Sequence, residues 1–206
     1  EITASGIFYN SFIMAFGIAS LSVFVSMMAA YSLVYFKTRF STLFFWLIFI
    51  TLLVPLELRI LPSYQIVSDL NLLNSYAGLI LPLSASAIAT FFFRQYYRSI
   101  PEELLEAAKL DGANSWKFFI DFLVPLSKTM IAAMFIFMFV YGYNQYLWPL
   151  IMTTSEKYWT VVMGLKMIYG GNSVDRYTYV ILSLIPPVII IVFLQRLFIQ
   201  GLFQSK

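Results

Sequence analysis

The residues able to do chemistry in this chain are few and unevenly placed. Histidine and cysteine are both absent. That removes the commonest metal ligand, the thiolate nucleophile and the side chain that titrates nearest neutral pH. No G-x-x-x-x-G-K-[ST] phosphate loop occurs, so ATP, if it is used, has to be held by a partner. No nucleophile–base pair or metal cluster emerges from the spacing, which argues against an enzyme. What remains is one polar, patterned stretch at residues 102–125 (EELLEAAKLDGANSWKFFIDFLVP), the adjacent amides Asn144 and Gln145 among Tyr141, Tyr143, Tyr146 and Trp148, and the charges Glu57 and Arg59. These are groups for recognition. Amides and aromatic faces suit a polyol, and a guanidinium matches a phosphate in geometry.

The patterned stretch reads as two short helices. Ser99 is placed to cap the first, with Glu102 at the capping-box position and Pro101 in the first turn, where its missing N–H does no harm. Glu102, Glu103 and Glu106 oppose the positive end of the helix dipole. The helix is expected to run to about Asp111, and Gly112 to supply the left-handed residue that ends it. Asn114 or Ser115 can cap a second helix, in which Trp116, Phe119, Ile120 and Leu123 form one apolar stripe before Pro125 closes it. Two readings stand side by side. The unit is either a docking knob for another protein or an interfacial helix resting on lipid headgroups. The small side chains of Ala107 and Ala108 favour the protein socket, because they bury little area in lipid yet let another backbone approach.

The elements that carry these groups are built for lipid. Of the 206 residues 61% are hydrophobic and 11% charged, against roughly 25% charged in a soluble domain, and the mean hydropathy is positive. A spanning helix needs about 20 mostly apolar residues. Five segments qualify, near 7–36, 42–61, 76–97, 128–150 and 177–199. Ser22, Ser26 and Ala30 recur every four positions on the first, a face suited to close packing. Pro55, Pro62, Pro82, Pro149, Pro186 and Pro187 predict kinks, some of which could line a pathway. The fold expected is an all-α, polytopic membrane helix bundle forming one transmembrane domain over 1–206, with residues 99–125 as its surface loop.

Charge sets the expected orientation. If Lys37 and Arg39 face the cytoplasm, then Arg94, Arg98, Lys109, Lys117, Lys128, Arg196 and Lys206 do so too, nine of the thirteen basic residues. Arg59, Lys157, Lys166 and Arg176 then lie outside. Residue 1 is expected outside, which implies an earlier spanning helix preceding this chain, and 170–172 reads as an external turn. The basic residues flank spans instead of clustering on a soluble face, so no nucleic-acid partner is expected.

The sequence Glu106-Ala107-Ala108, then Asp111-Gly112-Ala113, then Pro125, resembles the EAA signature of the ABC importer permeases: EAA, three residues, Gly, nine residues, then I-x-L-P. Phe122 and Val124 stand where Ile and Leu are usual. Tyr76-Ala77-Gly78-Leu79-Ile80-Leu81-Pro82, Phe93-Arg94-Gln95 and residues 144–150 (NQYLWPL) are similar to the carbohydrate-uptake, maltose-type members. Residues 44–62 (FFWLIFITLLVPLELRILP) and 141–150 (YGYNQYLWPL) resemble the branch that imports sn-glycerol 3-phosphate.

The resemblance implies a type I importer permease with six spans, so that five here fit loss of the first. It implies a bacterial inner-membrane protein with the EAA loop and C-terminus cytoplasmic. Implied partners are a second permease subunit, two ATPase subunits that hold the ATP and Mg, and an external solute-binding protein. Glu103, Glu106, Ala107, Ala108, Asp111, Gly112 and Ala113 would then couple to the ATPase, with Glu106 meeting a basic residue. For the solute path the candidates are Tyr143, Asn144, Gln145, Trp148 and Arg59. The amides could equally tie helices together, and Arg59 could pair with Glu57 or a loop. The substrate expected is glycerol 3-phosphate, with another sugar or polyol as the near alternative. A self-sufficient channel or secondary transporter is the rival class. Against that rival, the spans lack the buried charges that ion coupling requires.

Overall fold

A computed structural model describes residues 4–36, 38–167 and 173–203, and every regular element among them is a helix. Residue 1, Lys37, the turn at 170–172 and Lys206 lie outside the described residues, as do the side chains of Lys166, Arg176 and Arg196.

Helix α1 (Ala4–Tyr35) is the axis of the bundle. One side of it carries small residues: Ser11, Ala15, Ala19, Ser22, Ser26 and Ala30 are all buried. The other side exposes Tyr9, Phe12, Phe16 and Phe24. Small side chains let neighbouring backbones come close, since packing within lipid depends on contact and not on apolar transfer. The approach of α9 (Lys128–Tyr143) shows it, because a Cβ on its Gly142 would stand 3.2 Å from the Cα of Ala15.

Among the described residues two helices are long and apolar enough to cross a bilayer unaided, Ser5–Tyr35 and Tyr177–Gln195, the latter within α12 (Ser173–Phe203). Three bent helix pairs bring the total to five if each is one span. The stretch expected as a single span over 42–61 is broken. α2 (Ser41–Ile50) passes through a 3-10 turn to Leu53 and ends, and α3 (Leu56–Asp69) departs at 105°. The reason is local. Pro55 disfavours helical geometry at the residue before it, and Val54 is extended at φ −92°, ψ 108°.

α4 (Tyr76–Ser84) and α5 (Ala87–Ser99) meet at 44°, with the break at residues 85–86. A broken helix frees carbonyls, which lipid cannot satisfy. Here α1 contributes: the Ser22 hydroxyl donates to the Leu83 carbonyl at 3.5 Å, and the Ser26 hydroxyl adds a 3.2 Å bond to the Ser86 carbonyl, which also accepts the Thr90 N–H at the start of α5. The serine face thus serves both close packing and the break beside it. The segment expected as 128–150 is likewise divided, into α9 and the short α10 (Leu147–Met152) with a bend over 144–146.

Two buried cores lie along α1. The first gathers Met14, Ile18, Leu79, Phe139, Tyr143, Trp148 and Met152. The second gathers Met27, Tyr31, Phe93, Tyr97, Phe118, Phe119 and Leu123, and it fastens the polar loop to the bundle. At the opposite end Asn74 accepts the backbone N–H groups of Thr154 and Ser155 at 2.8 and 2.9 Å. Asn10 donates to the carbonyls of Lys157 and Trp159 at 2.8 and 2.9 Å. These amides hold the segment before α11 (Val161–Met167) against α1 and α4.

Candidate functional site

The polar loop folds as α6 (Glu102–Leu110), a corner, and α7 (Ser115–Phe118) running into a π-helical turn and then α8 (Val124–Leu126). Its start differs from the sequence expectation. Ser99 is the last residue of α5, and its hydroxyl turns back to the Tyr96 carbonyl at 2.6 Å. Pro101 occupies the capping position, with no side-chain cap. Ile100 is extended, as the residue before a proline prefers, so α6 begins two residues too late for Ser99 to cap it.

The corner is closed by backbone alone. Gly112 sits at φ +77°. Its N–H donates to the Lys109 carbonyl at 3.0 Å, and the Ala113 N–H reaches back to the Ala108 carbonyl at 2.9 Å. These are the two bonds of a Schellman motif, which requires a left-handed residue at this position. Asn114 then caps α7 by accepting the Lys117 N–H at 2.8 Å. Because Ala108 and Ala113 both touch the second core, the corner is clamped to the body of the protein.

Adjacent residues on a helix point about 100° apart, and the EAA run divides accordingly. Glu103, Glu106 and Ala107 face outward, as do Asp111 and Gly112. Ala108 is 1% exposed and turned into the bundle, so the expected small-residue face of Ala107 and Ala108 is split between the bundle and the exposed surface. Ala113 is half-buried. Beside the outward carboxylates stand Leu104, Leu110 and Trp116, and Leu110 is 89% exposed. The apolar stripe expected from Trp116, Phe119, Ile120 and Leu123 shifts phase: Phe118, Phe119 and Leu123 are buried while Trp116 and Ile120 are exposed. The π turn at Phe119–Leu123 accounts for it, since an added residue per turn rotates the face.

What sequence reasoning missed is the seat of the corner. The Tyr31 hydroxyl donates to the Ser115 carbonyl at 2.7 Å. Tyr35 packs edge-on to Phe118 with ring centroids 5.3 Å apart. A crevice of about 310 Å³ separates α6 from these two tyrosines.

Candidates for the solute path fall into two groups. Tyr143 and Trp148 are 3% and 0% exposed. Tyr143 donates to the Ser183 carbonyl at 3.0 Å and the Trp148 indole to the Leu79 carbonyl at 3.1 Å. Both tie helices together, which is the usual outcome for a polar tip on an aromatic body in lipid. Gln145 is half-buried and donates to its own helix at the Tyr141 carbonyl, 3.3 Å away, and Asn144 is exposed at the end of α9. Arg59 is different. It lines a cavity of about 240 Å³ together with Thr51, Ser63, Ser86, Tyr141 and a rim of apolar side chains. Tyr141 and Ser63 carried no strong sequence signal; the helix breaks beside them did.

With this geometry in view, likeness to known proteins is extensive. The family described as the inner membrane component of binding-protein-dependent transport systems matches residues 22–204. The chain is 49% identical over 203 residues to the sn-glycerol-3-phosphate transport system permease protein UgpE of Yersinia enterocolitica, covering 96% of this chain and 72% of that protein. It is 50% identical over 202 residues to the protein of the same name from Salmonella typhi, with the same coverage. A solved bacterial ABC transporter involved in import of the acidic polysaccharide alginate superposes with a TM-score of 0.76 at 22% identity, over 92% of this chain and 75% of that one. An all-α bundle with an EAA corner held on its surface, matched over nearly its whole length in this way, has one assignment: the chain belongs to the family of inner membrane components of binding-protein-dependent transport systems.

Proposed function

We propose that the chain is the membrane-spanning permease subunit of an ATP-driven importer for sn-glycerol 3-phosphate. The observation that carries this reading is the α6 corner: a rigid turn clamped to the bundle by Ala108 and Ala113, presenting Glu103, Glu106, Ala107, Asp111 and the bare side chain of Leu110 outward. A helix that only rests on lipid favours Lys and Arg on its outward face, and this corner presents carboxylates instead. Those suit a handle for another protein. The substrate reading rests on relatives at about half identity that bear the glycerol-3-phosphate name.

In this reading the α6 corner lies in the cytoplasm and seats in a cleft of an ATPase subunit, with Glu106 against a basic residue there. Two ATPases hold ATP and Mg. This chain and a second permease subunit enclose a shared cavity, and a loaded binding protein docks from outside. ATP binding draws the two ATPases together, and each corner moves with its socket. Because the corner is joined to α1 through buried rings, its displacement reaches the spanning bundle as a rigid-body motion. The binding protein biases the same equilibrium by preferring one state.

The test is reconstitution of the permease pair, ATPases and binding protein in vesicles. ATP-dependent glycerol 3-phosphate uptake that vanishes when the ATPase is omitted supports the proposal. Uptake that persists without the ATPase makes the chain a self-sufficient carrier. An ATP-driven complex that imports a disaccharide and rejects glycerol 3-phosphate removes the substrate.

A further inference from the structure

The cavity at Arg59 is where two helix breaks converge. Thr51 and Leu52 belong to the terminating turn after α2, Leu56 opens α3, and Ala85, Ser86 and Ala87 form the break that opens α5. Irregular backbone at membrane depth is tolerated where it is buried in protein or lines a polar cavity. The two breaks meet at one open, mostly apolar cavity with Tyr141 of α9 at its floor, and the exposed Arg59 with Ser63 and Tyr141 are among its few polar groups. Arg59 stands one turn inside α3 and Ser63 one turn further on, the same face by spacing. Among the described residues Arg59 makes no ion pair, although Glu57 lies two positions away. Arg59 and Glu57 are both within Coulombic reach of the Tyr141 hydroxyl.

We propose that this cavity is an anion subsite on the solute path, in which Arg59 holds a phosphate monoester and the hydroxyls of Tyr141 and Ser63 bond its oxygens or the adjoining polyol. The inference rests on the importer reading above and names the solute-contacting residues within it. A guanidinium offers several donors in a planar fork that matches phosphate, and a charge-assisted bond is roughly twice as strong as a neutral one. The part of the cavity that this chain lines measures about 240 Å³, and the second permease subunit would complete it. α3 and α5 both start at the cavity, so the positive ends of their dipoles add to the same field. Tyr143 and Trp148, spent on carbonyls of neighbouring helices, take no part.

The experiment uses the reconstituted complex and compares glycerol 3-phosphate imported per ATP hydrolysed in wild type, Arg59→Gln, Arg59→Lys and Tyr141→Phe, each verified as an assembled complex. Wild-type uptake establishes the importer reading by itself; its absence defeats that reading whatever the variants do. Given uptake, Arg59→Gln is expected to lower import per ATP roughly tenfold, with a substantial part recovered in Arg59→Lys because charge is retained. Tyr141→Phe keeps the ring and is expected to lose several-fold. Import per ATP at the wild-type level in both Arg59→Gln and Tyr141→Phe overturns the subsite. So does an Arg59→Lys variant as impaired as Arg59→Gln, which makes the role one of shape. Uptake that tracks the phosphatidylglycerol content of the vesicles in wild type, and ceases to do so in Arg59→Gln, assigns the guanidinium to a lipid headgroup and also overturns it.

Discussion

The Tyr31 hydroxyl donates a 2.7 Å hydrogen bond to the Ser115 carbonyl, joining the end of the longest helix to the start of the second loop helix, 84 residues on in the chain. Around this bond the Tyr31 ring contacts Phe119 at 5.1 Å between centroids, and Tyr35 contacts Phe118. The corner formed by α6 and α7 therefore has a direct mechanical route to α1, and α1 touches most of the bundle. Tyr31→Phe removes the bond and keeps the ring. A lost bond of this kind costs about 1 kcal/mol, so the isolated permease stays folded. Uptake per ATP should fall while the ATPase remains bound, measured by co-purification alongside vesicle transport. Unaltered uptake would show that the rings alone carry the motion.

Gly112 separates conformation from contact. A Cβ there would meet nothing within 4 Å, so a larger side chain has space within this chain. Its φ of +77° is what an L-residue resists, at a cost of roughly 1–2 kcal/mol and more for a β-branched side chain. Gly112→Val should release the Schellman corner and abolish ATPase co-purification. Gly112→Asn, which tolerates left-handed geometry, should retain a large part of it. Equal loss in both variants would mean that the ATPase cleft itself excludes any side chain at this point.

Much of this corner was legible in the sequence because it is local. Gly112 ends α6, Asn114 caps α7, and both follow from turn and cap chemistry that needs no distant partner. What stayed hidden was set by distant contacts or by a change of helical period. Ser99 carries the right side chain for a cap, but Pro101 extends Ile100 and leaves Ser99 as the end of α5. The π turn at Phe119–Leu123 moves the apolar face by about one residue, which a 3.6-residue template cannot show. Composition found the apolar segments and Pro55 marked the break between α2 and α3, but nothing local marked the one at 85–86; the serines bonded beside it lie about 60 residues away on α1.

Ala107 and Ala108, identical and adjacent, should respond oppositely to one substitution. Ala108 is 1% exposed against the second core, and overfilling a packed position costs about 1–3 kcal/mol. Ala108→Leu should lower the melting temperature of the permease before any partner is added. Ala107 faces outward, so Ala107→Leu should leave that melting temperature unchanged and weaken ATPase binding instead. Thermal unfolding in detergent followed by pull-down resolves the two. A stability loss in Ala107→Leu would place that residue in a buried contact of its own chain.

Trp148 and Tyr143 offer the complementary contrast with Arg59. The Trp148 indole donates to the Leu79 carbonyl of α4 at 3.1 Å, and Tyr143 donates to the Ser183 carbonyl of α12 at 3.0 Å, four residues before Pro187. A proline at position i removes a donor from the carbonyl at i−4, so Tyr143 sits where α12 is short of a donor, while the Trp148 indole adds a bond that ties α10 to α4. Trp148→Phe keeps most of the packing and deletes one buried bond, worth about 0.5–1.5 kcal/mol. Tyr143→Phe leaves the Ser183 acceptor unpaired, at about 1–3 kcal/mol. Both variants should show lower melting temperatures with little change in glycerol 3-phosphate imported per ATP by the molecules that remain folded. A selective loss of import with unchanged melting would place these aromatics on the solute path, and the bonds to α4 and α12 would then be incidental to their role.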